Sequence, residues 1–142
     1  PCLLDVAHNP DGARALADSL QQHPCDGRTY AVCAMLQDKD IEGVFRVMSE
    51  VVDHWVVAGL NTFRGASGEQ LATVLVSLNK KMAENTPVEI SEDVQSAYQW
   101  SRLAASPGDR IIVFGSFYTV SEMLVYLRAE LSLLNHKADV GI

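Results

Sequence analysis

Apolar residues along the chain follow two alternating patterns, short continuous runs and longer runs with helical spacing. The short runs predict five strands, at Leu3-Leu4, 29–35, 54–58, 88–90 and 110–114. Continuous apolar runs without alternation are typical of strands that are covered on both faces of a sheet. The regular exchange of strands and helices therefore predicts an α/β fold with a Rossmann-like, mostly parallel, doubly wound sheet and helices on both faces.

The runs with helical spacing predict five helices, one after each strand. The first covers 10–22, and the predicted N-caps of the five helices are Asn9, Asp40, Ser67, Ser91 and Ser116. The last helix carries the apolar stripe Val120, Met123, Leu124, Leu127, Leu131 and Leu134, after which the pattern stops. We therefore predict one domain over residues 1–134 and a frayed or disordered tail over 135–142.

The composition indicates a globular protein and argues against some classes of binding partner. The 142 residues are 48% hydrophobic and 20% charged, which is typical of one globular domain. A net charge of −7 without a Lys/Arg cluster argues against nucleic acid or an anionic membrane as the main partner. No apolar run has the length of a membrane span. A strand so close to an initial Pro predicts that the chain is a fragment of a longer protein.

The three cysteines give no sign of a disulfide framework or a metal site. Cys2, Cys25 and Cys33 are odd in number and lack C-x-x-C spacing. Reduced thiols in a cytoplasmic protein are the expected state, with Cys2 and Cys33 as small core residues on strands.

The first polar side chains after a predicted strand are those of Asp5 and His8. Asn9 and Pro10 suit the start of the next helix as cap and first residue. Asp5 and His8 thus follow a strand's carboxyl end and lie beside a helix N-terminus, where open α/β sheets bind ligands and anions are favoured. The alternative is that Asp5 only forms a turn and that His8 is only solvated.

Two further strand ends carry polar turns. Asp38, Lys39 and Asp40 form either a ligand-facing loop or a solvated loop with a helix cap. Ser116 follows Gly115 at the start of the last helix, where free N–H groups suit an anion and the hydroxyl suits a cap. The chain has no phosphate loop of the form G-x-x-x-x-G-K-[ST], no G-x-G-x-x-G, no G-x-S-x-G and no H-E-x-x-H. It therefore lacks the motifs of a self-sufficient active site.

Four blocks of sequence carry a resemblance to a known family. They are Asp5-Val6-Ala7-His8-Asn9-Pro10, the segment 35–40, Arg64-Gly65-Ala66-Ser67 with the segment 69–71, and the segment 115–120. In this order they resemble the C-terminal domain of the folylpolyglutamate synthase/dihydrofolate synthase family, part of the Mur ligase superfamily. The resemblance implies a Rossmann-like C-terminal domain, whose sheet in this family can include an antiparallel strand.

The resemblance also implies a reaction. In this family ATP phosphorylates a carboxylate of dihydropteroate or a folate such as tetrahydrofolate, and the amine of L-glutamate attacks the acyl phosphate. An N-terminal domain of the same parent chain supplies the phosphate loop and the ligands for Mg2+, so we expect no metal ligands in this chain and no activity of the chain alone. A monomer in the cytoplasm is expected.

By the same resemblance, Asp5 and His8 bind the nucleotide, and His8 is also catalytic. Ser116 and Lys39 lie on the glutamate side of the cleft, and Asn9 and Pro10 are structural. Two other functions stay open. One is a noncatalytic Rossmann-like module that binds a nucleotide or anion, and the other is the equivalent domain of a peptidoglycan-precursor ligase.

Overall fold

A computed structural model describes residues 2–140, with side chains up to residue 134. Strands and helices alternate from one end to the other. In chain order they are β1 (Cys2–Leu4), α1 (Pro10–Gln22), β2 (Thr29–Cys33), α2 (Ile41–Met48), β3 (His54–Ala58), α3 (Gly68–Lys81), β4 (Val88–Ser91), α4 (Val94–Ala104), β5 (Arg110–Phe114) and α5 (Phe117–Val140). The predicted order of five strands and five helices is confirmed.

The five strands form one sheet in the order β1-β5-β2-β3-β4. Every strand pair is parallel. In the register of β1, β5 and β2, Leu4 lies beside Val113 and Cys33 lies beside Phe114. Within residues 2–140 the antiparallel pairing is limited to an isolated bridge between Leu36 and Gly65. The predicted mostly parallel sheet is confirmed, and the structure shows no antiparallel strand in the described range.

Two hydrophobic layers, one on each face of the sheet, confirm the doubly wound arrangement. Helices α1, α2 and α3 pack on one layer, where Trp55 lies between Phe45 and Phe114 with ring centroids 4.8 and 6.1 Å away. Helices α4 and α5 cover the other layer, which contains Val113 and Met123. Alternate side chains of each central strand enter opposite layers, which explains why the strands read as continuous apolar runs.

The prediction that the opening strand is buried on both faces is wrong. Leu3 is 43% exposed and Cys2 is exposed, because β1 lies at an edge of the sheet and pairs only with β5. Cys2 is therefore not a core residue. Cys33 is fully buried on β2, as predicted, and burial raises the pKa of its thiol.

Several boundaries also differ from the predictions. Asp93, and not Ser91, caps α4 by accepting from the Ser96 N–H, because Ser91 is still part of β4. The second strand ends at Cys33, two residues before the predicted end.

Helix α5 continues to Val140, beyond the predicted end of its apolar stripe at 134, and a frayed tail from 135 onward stays a prediction. Its apolar stripe is buried only near its start, since Leu131 and Leu134 are more than half exposed. Backbone hydrogen bonds can continue a helix after its apolar stripe has ended, so the end of the stripe does not mark the end of the helix. The rest of the predicted tail, 141–142, lies outside the described residues. Within 2–140, no helix combines the length and the apolar character that crossing a membrane requires.

Candidate functional site

The strand order creates a crevice at the carboxyl edge of the sheet. The helices that follow β1 and β2 pack on one face, whereas the helix that follows β5, the strand between them, packs on the other. Loops leaving neighbouring strands toward opposite faces open a gap, which is where ligands bind in such sheets. The loops that carry Asp5, His8, Lys39 and Ser116 all lie at this edge. The topology therefore brings the four predicted site residues to one side of the molecule.

Asp5 is held firmly at the end of β1. Its N–H donates to the carbonyl of Val113 on β5 across 3.0 Å, and its Oδ1 accepts from the Ala7 N–H across 2.8 Å. Its Oδ2 forms no hydrogen bond to any of the described residues. One carboxylate oxygen thus fixes the loop, and the other stays available to accept a hydrogen bond from a ligand.

His8 is half-buried in the same loop. Its Nδ1 lies 2.9 Å from the carbonyl oxygen of Val6, which can only accept, so Nδ1 carries the hydrogen. The neutral ring then offers Nε2 as an acceptor, and the protonated ring offers it as a donor. His8 and Asp5 line one cavity of about 360 Å³ between the loop and α1. A ligand in this cavity can meet both side chains.

Asn9 and Pro10 begin α1 as predicted. The Asn9 side chain accepts from the Gly12 N–H across 2.7 Å, and Pro10 takes the first helical position, which needs no donor. Asp11 adds a carboxylate to the first turn. Because the free Oδ2 of Asp5 can only accept, a ligand group that donates hydrogen bonds suits this part of the cavity better than an anion.

Ser116 lies at the start of α5, where its capping role is confirmed. It is buried, and its Oγ accepts from the Thr119 N–H across 3.1 Å and lies 2.9 Å from the Thr119 hydroxyl. The preceding Gly115 has a φ of +130°, and a Cβ there would overlap the carbonyl oxygen of Ala34. The turn therefore packs directly on the end of β2, and it presents the free N–H groups of the helix start to the crevice.

Lys39 occupies the loop between β2 and α2. Asp40 caps α2 by accepting from the Gly43 N–H across 3.0 Å, as predicted. The side chain of Lys39 is half-buried and forms no ion pair with another described residue. Its ammonium group can therefore accept an anionic partner without breaking an existing contact.

The loop between β3 and α3 is joined to the loop that carries Lys39. The Gln37 N–H donates to the Arg64 carbonyl across 2.8 Å, and its side-chain amide donates to the Gly65 carbonyl across 3.1 Å. The Ala66 N–H donates to the Met35 carbonyl across 2.8 Å. No periodicity in the sequence predicts these links, because they join loops that follow different strands. They extend the site edge as far as β3.

The family model described as Mur ligase, glutamate ligase domain matches residues 2–117. The chain belongs to this family. The dihydrofolate synthase/folylpolyglutamate synthase of Haemophilus influenzae is 34% identical to this glutamate ligase domain over 122 residues, which are 84% of this chain and 27% of that protein. The chain thus spans a little more than a quarter of the length of that relative.

Solved structures have the same fold as this glutamate ligase domain. A bifunctional folylpolyglutamate synthase/dihydrofolate synthase with Mn, AMPPNP and L-glutamate bound gives a TM-score of 0.77 at 41% identity, covering 88% of this chain and 29% of that one. Escherichia coli FolC in complex with DHPP and ADP gives a TM-score of 0.81 at 34% identity, covering 91% of this chain and 29% of that one. The resemblance found in the sequence motifs is therefore confirmed over most of the chain.

One feature of this glutamate ligase domain was not predicted. A cavity of about 600 Å³ lies between the loop after β3, the start of α4 and α5, and its lining includes the acidic residues Glu92, Asp93 and Glu122. Among residues 2–140, no three His, Cys, Asp or Glu side chains come close enough together to hold a metal ion.

Proposed function

We propose that this chain is the glutamate ligase domain of an ATP-dependent enzyme that adds L-glutamate to dihydropteroate or tetrahydrofolate. The observation that best supports this is the convergence of the loops of Asp5, His8, Lys39 and Ser116 at one sheet edge. The related enzyme of the same fold, solved with Mn, AMPPNP and L-glutamate, adds weight to the nucleotide and the amino acid as ligands.

In the proposed reaction, the γ-phosphoryl group of ATP passes to a carboxylate of the acceptor, and ADP leaves. The amine of glutamate then attacks the acyl carbon, the amide bond forms, and inorganic phosphate is released with one proton. The acyl phosphate must be kept from water, which would otherwise hydrolyse it. Closure of the crevice against the rest of the parent enzyme would exclude that water.

Asp5 and His8 serve the nucleotide in this proposal. The free Oδ2 of Asp5, which lines the cavity, accepts from a ribose hydroxyl. His8 keeps its ring fixed through Nδ1, so that Nε2 of the protonated ring can donate to a phosphoryl oxygen as charge develops there. Asn9 holds the loop in place by capping α1.

Lys39 and the turn at Ser116 serve glutamate. The Lys39 ammonium group has no ion-pair partner among the described residues and can pair with a glutamate carboxylate. The free N–H groups at the start of α5 suit a second carboxylate. The Ser116 hydroxyl is already engaged by Thr119, and it therefore shapes the turn. In this proposal Ser116 also contacts the ligand.

The rest of the parent chain completes the proposed enzyme. We propose, as the family resemblance implies, that an N-terminal domain supplies the phosphate-binding loop and the ligands of Mg2+, which would offset negative charge on the transferred phosphoryl group. We therefore propose that the chain alone has no ligase activity. Detection of ATP-dependent glutamate addition by the purified chain would contradict this part of the proposal.

The decisive experiment compares variants in the complete enzyme that contains this chain. We expect Asp5→Ala to lower kcat/KM for ATP-dependent glutamate addition about 100-fold, because a positioned charge-assisted contact is lost. Asp18→Ala is the matched control, since Asp18 is an exposed carboxylate on α1, the helix after the loop of Asp5, and pairs among the described residues only with Arg14. Full activity of Asp5→Ala, or an equal loss in Asp18→Ala, would exclude a role of Asp5 in nucleotide binding.

A substrate panel with the same complete enzyme separates the alternatives. Dihydropteroate, tetrahydrofolate and a UDP-linked muramoyl peptide are each offered with Mg-ATP and L-glutamate. We expect glutamate addition to the first two only. Turnover of the muramoyl peptide alone would indicate a peptidoglycan-precursor ligase, and nucleotide binding without any turnover would indicate a noncatalytic module.

A further inference from the structure

Every exposed aromatic ring among the described residues lies at the carboxyl edge of the sheet. Phe63, in the loop after β3, is 93% exposed, and Phe117 and Tyr118, which begin α5, are 73% and 54% exposed. All other Phe, Tyr and Trp side chains are buried or half-buried. One exposed ring needs no explanation, but exposed apolar groups gathered at a candidate ligand-binding edge mark a surface that another group covers. These three rings form the aromatic rim.

The aromatic rim stands on ordered backbone. The Asn61 N–H donates to Oε1 of Glu122 across 3.3 Å, which joins the loop of Phe63 to α5. The Gln37 N–H donates to the Arg64 carbonyl across 2.8 Å, which joins the same loop to the loop after β2. The rim is therefore one connected surface, and its rings are in position before any partner arrives.

An open cavity of about 600 Å³ continues the rim along α5. Tyr118 lines it together with Leu60 and Val125, and Val125 is itself exposed. The rings are spread over the ends of β5, β2 and β3, a span of about 10 Å in a sheet. Projecting rings beside an open cavity give this edge an uneven apolar surface, which suits the surface of another protein domain.

The rest of the parent chain is the partner that fits this position. This chain matches 27% of the length of the Haemophilus relative, so about three quarters of such a protein lies outside the domain. The rim is also continuous with the crevice, since Phe117 follows Ser116 and the loop of Phe63 is bonded to the loop of Lys39. A domain that closes over the crevice therefore meets these rings.

We propose that the aromatic rim docks on the N-terminal domain of the parent chain and seals the crevice from water during the reaction, an inference that rests on the function proposed above. Closure buries the three rings, and burial of apolar surface stabilises the closed state. Water that enters an open crevice hydrolyses the acyl phosphate. The bond between the acyl group and phosphate then breaks, the acceptor carboxylate is regenerated, and inorganic phosphate leaves with a proton. ADP thus forms without an amide.

The test measures ADP and amide in the same reaction of the complete enzyme, after subtraction of the ADP formed without acceptor. A sealed wild-type crevice gives about one ADP per amide. We expect Phe63→Ala to raise this ratio to about two or more, because loss of one buried ring weakens closure about tenfold. Phe117→Ala should act in the same direction. Phe63→Leu keeps an apolar side chain and should stay near the wild-type ratio.

Leu103→Ala is the control for loss of an exposed apolar side chain. Leu103 is 89% exposed near the end of α4, which leads to the start of β5 at the opposite edge of the sheet. Its loss should leave the ratio of ADP to amide unchanged. Thermal unfolding of each variant checks that the fold is intact.

Two outcomes overturn the seal. One is a ratio of about one in Phe63→Ala, with or without a change in KM. The other is a wild-type dimer that Phe63→Ala converts to a monomer, since the ring would then cover a second copy of the chain. If the wild-type enzyme adds no glutamate to any acceptor, the proposed function fails. If the wild-type enzyme is active and Phe63→Ala keeps its ratio, only the seal fails.

Discussion

The hydroxyl of Thr119 donates to the carbonyl of Ala34 across 2.7 Å and joins the first turn of α5 to the end of β2. Thr119 and Ala34 are both fully buried. The same hydroxyl lies 2.9 Å from the Ser116 Oγ, so one side chain satisfies polar groups of two loops. This contact fixes how far apart the two loops stand, and therefore how wide the crevice is at Lys39 and Ser116.

Replacing this hydroxyl should destabilise the domain. Thr119→Val keeps the shape of the side chain but leaves the buried Ala34 carbonyl without a donor, which should lower the free energy of unfolding by about 1–3 kcal/mol. Thr73→Val is the control, because the Thr73 hydroxyl donates to the Glu69 carbonyl on an exposed helix face, and its loss should change stability by less than about 0.5 kcal/mol. Urea unfolding of both variants measures the difference. Equal stabilities would show that another donor satisfies Ala34.

Gly115 should not tolerate a side chain. Its φ of +130° is rarely adopted by other residues, and a Cβ would overlap the Ala34 carbonyl oxygen. We expect Gly115→Ala to lower the free energy of unfolding by more than about 3 kcal/mol, by backbone strain and steric overlap together. Gly59→Ala is the matched control on the same edge, since the nearest atom to its Cβ would lie 3.7 Å away. A mild effect at Gly115 would mean that β2 and α5 can separate at little cost.

The cap at Asn9 has a measurable value. Asn9→Ala removes the acceptor of the Gly12 N–H and should lower the free energy of unfolding by about 1 kcal/mol. Asn9→Ser retains a capping oxygen and should differ from wild type by only about a few tenths of that value. Chemical denaturation ranks the three proteins. If Asn9→Ser were as unstable as Asn9→Ala, the amide would have a role other than capping.

His54 should make stability depend on pH. Its ring stacks on Tyr30 and contacts Trp100, and its buried Nε2 has no hydrogen-bond partner among the described residues. Burial lowers the pKa of His54; Glu89 opposes this shift and Arg28 adds to it. The unfolded chain then binds the proton more readily than the native state. The stability that the neutral His54 ring contributes is therefore fully present above the pKa of histidine in the unfolded chain, about 6.5. It is lost as the pH falls toward the lower pKa of His54 in the folded state.

The measurement is the free energy of unfolding between pH 7.5 and 5. His54→Phe keeps an aromatic ring in the stack and removes the titrating group, so we expect a smaller fall in stability with acid than in wild type. An unchanged slope in His54→Phe would assign the acid sensitivity to other groups.

Local signals explain which elements could be predicted from the sequence. The bounds of α1 at Pro10–Gln22 agree because Asn9, Pro10 and the apolar spacing act within a few residues of one another. The strand at His54–Ala58 agrees because it is buried on both faces. The sequence signals for these two elements lie within the elements themselves and their immediate neighbours.

Contacts between distant segments explain the rest. The exposure of β1 follows from the strand order, which no local pattern contains. At the candidate site, Asp5 and Lys39 could be placed at strand ends from sequence, but the Thr119 contact with Ala34 and the Gln37 contact with Arg64 could not. They join loops whose proximity is created by the sheet. The exposed position of Phe63 is of the same kind.

The strand order also constrains how the chain acquires its structure during synthesis. β5 lies between β1 and β2, yet it is the last of the five described strands to leave the ribosome. Until then β1 has no neighbour among these strands, since Cys2 and Leu4 pair with residues of β5. Contacts between such distant segments form slowly, because a long loop must close first. We expect β2, β3 and β4 to associate on the nascent chain, and the crevice at Asp5 to form only after nearly the whole domain has been translated.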